Sequence, residues 1–310
     1  MPSRKERIAG GLVGLLVGDA LGVPYEFHPA NEIPPLSDIE FIPPKDFSRA
    51  HLGVPPGTWS DDGAQALVLL ASLLDCGKLD LKDFAKGLVE WYETGYMAPD
   101  GKVFDVGIQT GQAINKLRSG YRPEKAARRD DQANGNGSLM RVLPLTLWHR
   151  GSDAELVEDA HRQSLVTHGH IRSQICCALY CLWARRIMEE AKDPWQEAVL
   201  ALRQIYGKNS DEIEELEYFI RPDDEPIGQG SGYVVDSLRS ARMVMTAGFY
   251  EQVVKSAIAL GRDTDTTACI AGGIAGLRDG LSAIPKRWTD NLRGKEIYEP
   301  ELKKLLDFCS

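Results

Sequence analysis

Apolar residues recur at helical spacing along most of this chain. Segments 5–22, 62–76, 81–93, 107–118, 138–149, 153–165, 171–191, 195–206, 211–219, 234–247, 250–260 and 266–280 carry that spacing over plausible helix lengths, and each is predicted to be a helix. Period-two alternation is scarce, and β-branched runs such as Tyr233-Val234-Val235 are short. The pattern therefore predicts an all-α fold, one compact multi-helix domain covering residues 1–310.

Two stretches break the rhythm. Residues 28–58 hold seven prolines, at 29, 34, 35, 43, 44, 55 and 56, so a long ordered loop or flap is expected there. A loop of that length inside a domain is usually functional or mobile. Arg221 to Gly232, rich in Pro, Asp and Gly, reads as a connection between helices. Glycine has its own period: Gly10, Gly14, Gly18 and Gly22 share one face of the first helix, and Ala268, Gly272 and Gly276 repeat the spacing in the last. A helical Gly costs about 1 kcal/mol relative to Ala, so close backbone approach between these two helices is the expected compensation.

Composition narrows the picture. With 310 residues, 43% hydrophobic and 26% charged, the chain can bury a core without disulfide or metal staples. Its net charge of -9 argues against a nucleic-acid backbone as main partner. The six cysteines (76, 176, 177, 181, 269, 309) form no CxxC pair and read as buried thiols in a reducing compartment. Asp19 follows directly on the apolar run Ile8 to Val17, which disfavours a signal peptide. No stretch reaches the ~20 apolar residues of a membrane span. A cytoplasmic protein, monomeric and free of membrane, is expected.

Two acidic clusters carry the candidate chemistry. Thr58-Trp59-Ser60-Asp61-Asp62-Gly63 precedes one amphipathic helix, and Arg262-Asp263-Thr264-Asp265-Thr266-Thr267 precedes another. Helix capping explains either alone: Ser60 is a good N-cap, and Asp62 and Gln65 have capping-box spacing. Together they fit capping poorly, because a cap needs one short polar side chain and each cluster offers two carboxylates and a hydroxyl. Were the two helix starts to converge, four carboxylates would repel unless cations neutralised them. An all-oxygen donor set suits Mg²⁺ or Mn²⁺, two ions matching four charges. Asn134-Gly135-Asn136-Gly137-Ser138-Leu139-Met140-Arg141 adds a Gly-rich loop whose backbone N–H groups suit phosphate oxygens. For Asp19 the plain expectation is a buried hydrogen-bonded residue, for Glu26 a surface carboxylate, and for His168 a cap or packing residue.

The order of these motifs resembles the ADP-ribosylglycohydrolase family: Gly18-Asp19-Ala20-Leu21-Gly22 with Glu26, Trp59-Ser60-Asp61-Asp62, the Gly135–Pro144 loop, Thr167-His168, and Asp263-Thr264-Asp265-Thr266. The resemblance spans residues 10 to about 280. It implies two Mg²⁺ or Mn²⁺ ions at the base of a cleft, held by Ser60, Asp61, Asp62, Asp263, Asp265 and Thr266. It also implies a substrate site formed by Asp105, Gly107, Asn134, Gly135, Asn136, Gly137, Ser138, Met140 and His168, with Glu26 on the flap. Phe104-Asp105-Val106-Gly107 is closer to the bacterial dinitrogenase-reductase-activating branch. Gly261-Arg262-Asp263 departs from the family's Gly-Gly-Asp, and a cation there is expected to pair with a carboxylate or narrow the cleft.

The activity implied is hydrolysis of the glycosidic bond between ADP-ribose and a modified acceptor, a protein arginine or a small-molecule conjugate. Asp61, Asp62, Glu26 and Asp105 are the candidate catalytic carboxylates: Asp62 to take a proton from water, Glu26 or Asp105 to protonate the leaving group. The alternative is a member of the same fold that binds ADP-ribose or a partner without turnover, such as a toxin-immunity or structural protein. Phosphoryl hydrolysis shares the ligand chemistry but not the motif order.

Overall fold

A computed structural model describes residues 2–309. Its centre is an antiparallel pair, α1 (Arg4–Gly22) and α12 (Thr264–Asp279), in backbone contact along their lengths. A Cβ on Gly18 would stand 2.1 Å from the Ala268 carbonyl oxygen, and one on Gly276 would stand 2.0 Å from that of Gly10. The predicted glycine-to-glycine packing is thus present. Two buried tyrosines brace the pair: Tyr250 donates to the Gly14 carbonyl at 2.7 Å and Tyr180 to that of Ile270 at 2.9 Å. By length and composition Arg4–Tyr25 is apolar enough to cross a membrane, contrary to the expectation that no stretch is. Its apolar window lies wholly inside the protein, and that composition is what a helix covered on every side requires.

The remaining helices wrap this pair. They are α2 (Asp61–Cys76), α3 (Leu81–Thr94), α4 (Ile108–Arg118), α5 (Leu143–Trp148), α6 (Asp153–Ser164), α7 (Ile171–Met188), α8 (Pro194–Tyr206), α9 (Asp211–Glu215), α10 (Val234–Val244), α11 (Tyr250–Ile258), α13 (Lys286–Asn291) and α14 (Lys295–Phe308). The described residues contain no β-strand, only three isolated bridges, so the all-α class holds. Six free cysteines are present, four of them buried.

Three predicted elements change. The helix expected over 138–149 begins only at Leu143, because Leu139 and Met140 donate their N–H groups back to the Asn136 carbonyl and form turns. The segment 211–219 becomes a short α-helix followed by a single π-helical turn, Leu216–Ile220, which ends at Arg221 with φ +50°. Beyond 280, where no helix is predicted, α13 and α14 pack through Trp288, Tyr298 and Leu305; Pro300 inside α14 disguises it in the sequence. The proline-rich stretch 28–58 is a loop as expected, with short 3₁₀ turns at Ala30–Glu32 and Leu36–Asp38. It is pinned by buried Ile39 and Phe41 and by the Tyr25 hydroxyl donating to the Glu40 carbonyl at 2.8 Å.

Candidate active site

The α1–α12 contact brings the two acidic clusters together. Where α1 ends, Thr264 donates its hydroxyl to the Gly22 carbonyl at 2.8 Å, which fixes the start of α12. The start of α2 is fixed by Asp19, whose carboxylate accepts the backbone N–H groups of Ser60 at 2.9 Å and Gly63 at 2.8 Å. One buried carboxylate of α1 thus satisfies amides that α2 leaves free, and sets Asp61 and Asp62 beside α12. The convergence is direct: residues 204 apart meet where the Thr266 hydroxyl donates to Asp62 Oδ2 at 3.3 Å. Ser60 donates to the same oxygen at 3.2 Å.

Capping accounts for Ser60 alone. Its hydroxyl accepts the Asp62 N–H at 3.3 Å. Asp263, at the corresponding position of α12, makes no side-chain cap bond, and its Oδ2 instead accepts from Asn136 Nδ2 at 2.7 Å. The Asp62–Gln65 capping box does not form, since the Gln65 amide joins Asp61 and Arg141. Asp62 Oδ1 and Asp265 Oδ2 are buried with no hydrogen-bond partner. Burial and neighbouring carboxylates push Asp61, Asp62 and Asp265 well above the usual carboxylate range, and burial raises Asp263 and Asp105 too. Orphaned carboxylate oxygens in a set of oxygen donors fit a hard divalent cation.

Above this cluster lies a cavity of about 380 Å³. Of the expected residues, Glu26, Asp61, Asp105, Gly107, Gly135, Asn136, Gly137, Met140, His168, Asp263 and Thr266 line it. Ser60, Asp62 and Asp265 are buried but are not among its lining residues. Asn134 and Ser138 do not reach it: Asn134 donates to the Asp131 carbonyl, and the Ser138 hydroxyl turns into the core against Ser164 and Cys177. His168 is 3% exposed, and burial lowers it to about 3, so the imidazole is neutral. Its Nδ1 pairs with the Thr167 hydroxyl at 2.8 Å.

Glu26 is not the surface carboxylate its local sequence suggests. It is 5% exposed, lies within 4.8 Å of Asp263 and Asp265 oxygens, and is pushed up to about 7 by burial. Sequence reasoning missed its partner: His51 Nε2, from the flap, meets Glu26 Oε2 at 2.6 Å, with Asp105 in the same cluster. The His51 ring packs between Phe27 and Phe104, at centroid distances of 5.5 and 5.2 Å. Gln109 was also missed, although it lies four residues after Asp105; its Oε1 accepts the Gly135 N–H at 3.1 Å and its buried Nε2 has no partner.

Arg262 departs from expectation. It pairs with no carboxylate, and its guanidinium donates to the Gln229 carbonyl at 2.8 Å and side-chain oxygen at 3.1 Å, holding the 221–232 connection. Its φ of +64° explains why glycine suits this position, while its backbone pairs with Phe27 and His28 at the root of the flap. Arg262→Gly is expected to remove about 1 kcal/mol of left-handed strain and to lose a similar amount of hydrogen bonding. Thermal melting should stay nearly unchanged, while amide exchange over 227–232 accelerates.

The ADP-ribosylglycohydrolase family model matches residues 1–308. The chain is 30% identical to ADP-ribosylarginine hydrolase Tri1 of Serratia proteamaculans, over 94% of this chain and 76% of that protein. It is 27% identical to ADP-ribosyl-dinitrogen reductase glycohydrolase of Rhodospirillum rubrum, over 99% and 96%. A solved structure described as an ADP-ribosylglycohydrolase-related protein complex superposes with a TM-score of 0.80 at 29% identity, covering 100% of both chains.

Proposed function

The chain belongs to the ADP-ribosylglycohydrolase family, a family of enzymes, and on that premise we propose that it hydrolyses the bond between ADP-ribose and an arginine side chain of a modified protein, with divalent cations bound. The observation that carries this reading is the convergence of Asp61, Asp62, Asp263 and Asp265, with orphaned oxygens on Asp62 and Asp265, beneath a cavity walled by Glu26 and Asp105. Ser60, Asp61, Asp62, Asp263, Asp265 and Thr266 would hold the ions, two Mg²⁺ or Mn²⁺. Bound there, they supply Lewis-acid polarisation of water and of ribose hydroxyls.

The chain's own residues do the rest. The Gly135–Gly137 backbone approaches the cavity closely, as a diphosphate cradle requires, with neutral His168 and the free Gln109 amide available as polar contacts. Hydrolysis breaks the bond from C1″ to the guanidine nitrogen and forms one from C1″ to water oxygen. The attacking water must lose a proton, and the departing guanidine must finish protonated. Asp62 does not line the cavity, whereas Asp105 does, half-buried, and is the better candidate to receive that proton. Glu26, held near neutrality by burial and anchored by His51, can carry a proton to the leaving nitrogen. Two carboxylates at the cavity wall also suit a cationic acceptor, and the two Tri1 relatives, at 30% and 29% identity, carry the name ADP-ribosylarginine hydrolase.

The test is release of free ADP-ribose from arginine- and serine-ADP-ribosylated peptides, each with Mg²⁺ and with EDTA. Metal-dependent release from the arginine peptide is expected. Release from the serine peptide alone would overturn the acceptor, and release that persists in EDTA would overturn the cation dependence.

A further inference from the structure

Arg141 is a fully buried cation with no carboxylate in contact. Its side chain has no exposed surface, and its hydrogen bonds go to neutral oxygens: Gln163 Oε1 and the Gln163 carbonyl, each at 3.1 Å, and Gln65 Oε1 at 2.8 Å. The guanidinium also lies over the Phe84 ring, 5.1 Å from its centroid. Burying an unpaired charge is costly, and a neutral core residue of this size would avoid that cost. The lone charge therefore calls for an account beyond packing.

Gln65 supplies it. This residue is also fully buried, and its Nε2 donates to Asp61 Oδ2 at 2.9 Å. An amide side chain has two interchangeable orientations unless its neighbours choose between them. A guanidinium has no acceptor, so Arg141 compels the Gln65 oxygen to face it. The Gln65 N–H₂ must then face Asp61. One Asp61 oxygen is thereby tied back toward the core while the residue lines the cavity beside Asp263 and Thr266.

We propose that Arg141, acting through the amide of Gln65, is a positioning residue for Asp61, holding that carboxylate in the orientation the cation site needs. The inference rests on the cation-binding reading given above. Partners behind a ligand commonly contribute ten- to a hundredfold in metal affinity.

The experiment is Mn²⁺ titration of the purified full chain by electron paramagnetic resonance, with thermal melting in EDTA as a separate readout. Gln65→Met keeps the bulk and removes the donor, and is expected to weaken Mn²⁺ binding about ten- to a hundredfold. Arg141→Met, which removes the anchor on the Gln65 oxygen, should weaken it by about tenfold, and Arg141→Lys, which keeps a donor toward Gln65, should restore most of the loss. A purely structural role would lower the melting temperature of the variants in EDTA and leave their Mn²⁺ affinity at the wild-type value; that result overturns the proposal. If the wild-type chain binds no Mn²⁺, the cation reading itself fails and the relay falls with it. Wild-type binding with equally tight binding by Gln65→Met removes the relay alone.

Discussion

Asp62→Asn is expected to lower ADP-ribose release on the order of a thousandfold while raising the melting temperature of the protein in EDTA. The two effects share one cause. Asp62 is fully buried, one of its oxygens has no partner, and it shares its surroundings with Asp19, Asp263 and Asp105. Without cations that charge is a liability, so an amide of the same shape stabilises the fold. With cations the carboxylate is a ligand, so the same amide removes binding. Asp265→Asn, also with an orphaned buried oxygen, should behave alike. Scanning calorimetry with Mg²⁺ and with EDTA checks both halves; a variant that melts lower in EDTA, or keeps full activity, defeats the assignment.

The pH dependence follows from the same charges. Burial raises Asp19 and Glu26 to about 7, and Asp61, Asp62 and Asp265 well above their ordinary value. A carboxyl group raised in the folded state contributes stability that is full below its unfolded value and is lost as pH rises through the folded one. In EDTA the wild-type protein should therefore lose stability as pH rises from the ordinary carboxylate range, about 4, to about 7 through Asp19 and Glu26, and further above that through Asp61, Asp62 and Asp265, and Mg²⁺ should restore more at the upper end. His161 and His168, lowered by desolvation to about 4 and about 3, act in the opposite sense. Their stabilisation is complete above about pH 6.5 and falls away below it, so they partly offset the carboxyl trend on the acid side and leave the range above about pH 6.5 to the carboxyl groups.

The largest expected effect on stability comes from Gly276→Ala, with Gly18→Ala beside it. Helix propensity alone predicts that replacing a mid-helix glycine by alanine stabilises by about 1 kcal/mol. The structure predicts the reverse sign. The new methyl would meet the Gly10 carbonyl oxygen at 2.0 Å in one case and the Ala268 carbonyl oxygen at 2.1 Å in the other, and helix backbone cannot swing aside as a side chain can. Separation of α1 from α12 should cost about 3 kcal/mol or more, giving an insoluble or much less stable chain. It should also abolish cation binding, because that contact brings the Asp61–Asp62 and Asp263–Asp265 clusters together. Gly53→Ala, where nothing lies within 4 Å, is the control and should melt like the wild type.

Much of this architecture is written in local pattern. Amphipathic spacing marks a face to be buried, and that signal placed most of the helices and the absence of strands. Periodic glycines mark a backbone contact, and they identified α1 and α12 as partners. Two carboxylate-rich helix starts exceeding what capping needs marked the acidic centre, because the excess of like charge is visible residue by residue. Local pattern failed where the deciding force came from elsewhere. Pro300 reads as a breaker, but packing through Tyr298 and Leu305 holds α14 together around it. Ser138 and Asn134 belong to a loop that approaches the cavity, yet the turn at Asn136 sends their side chains elsewhere. Glu26 and His51 are 25 residues apart, with no periodicity to link them until the flap folds over. Gln65 looks like a capping partner of Asp62 until a guanidinium from residue 141 selects its orientation. Short-range spacing encodes which face of an element is buried; which distant side chain meets it, and with which atom, is set only when backbones have packed and each buried polar group has found its partner.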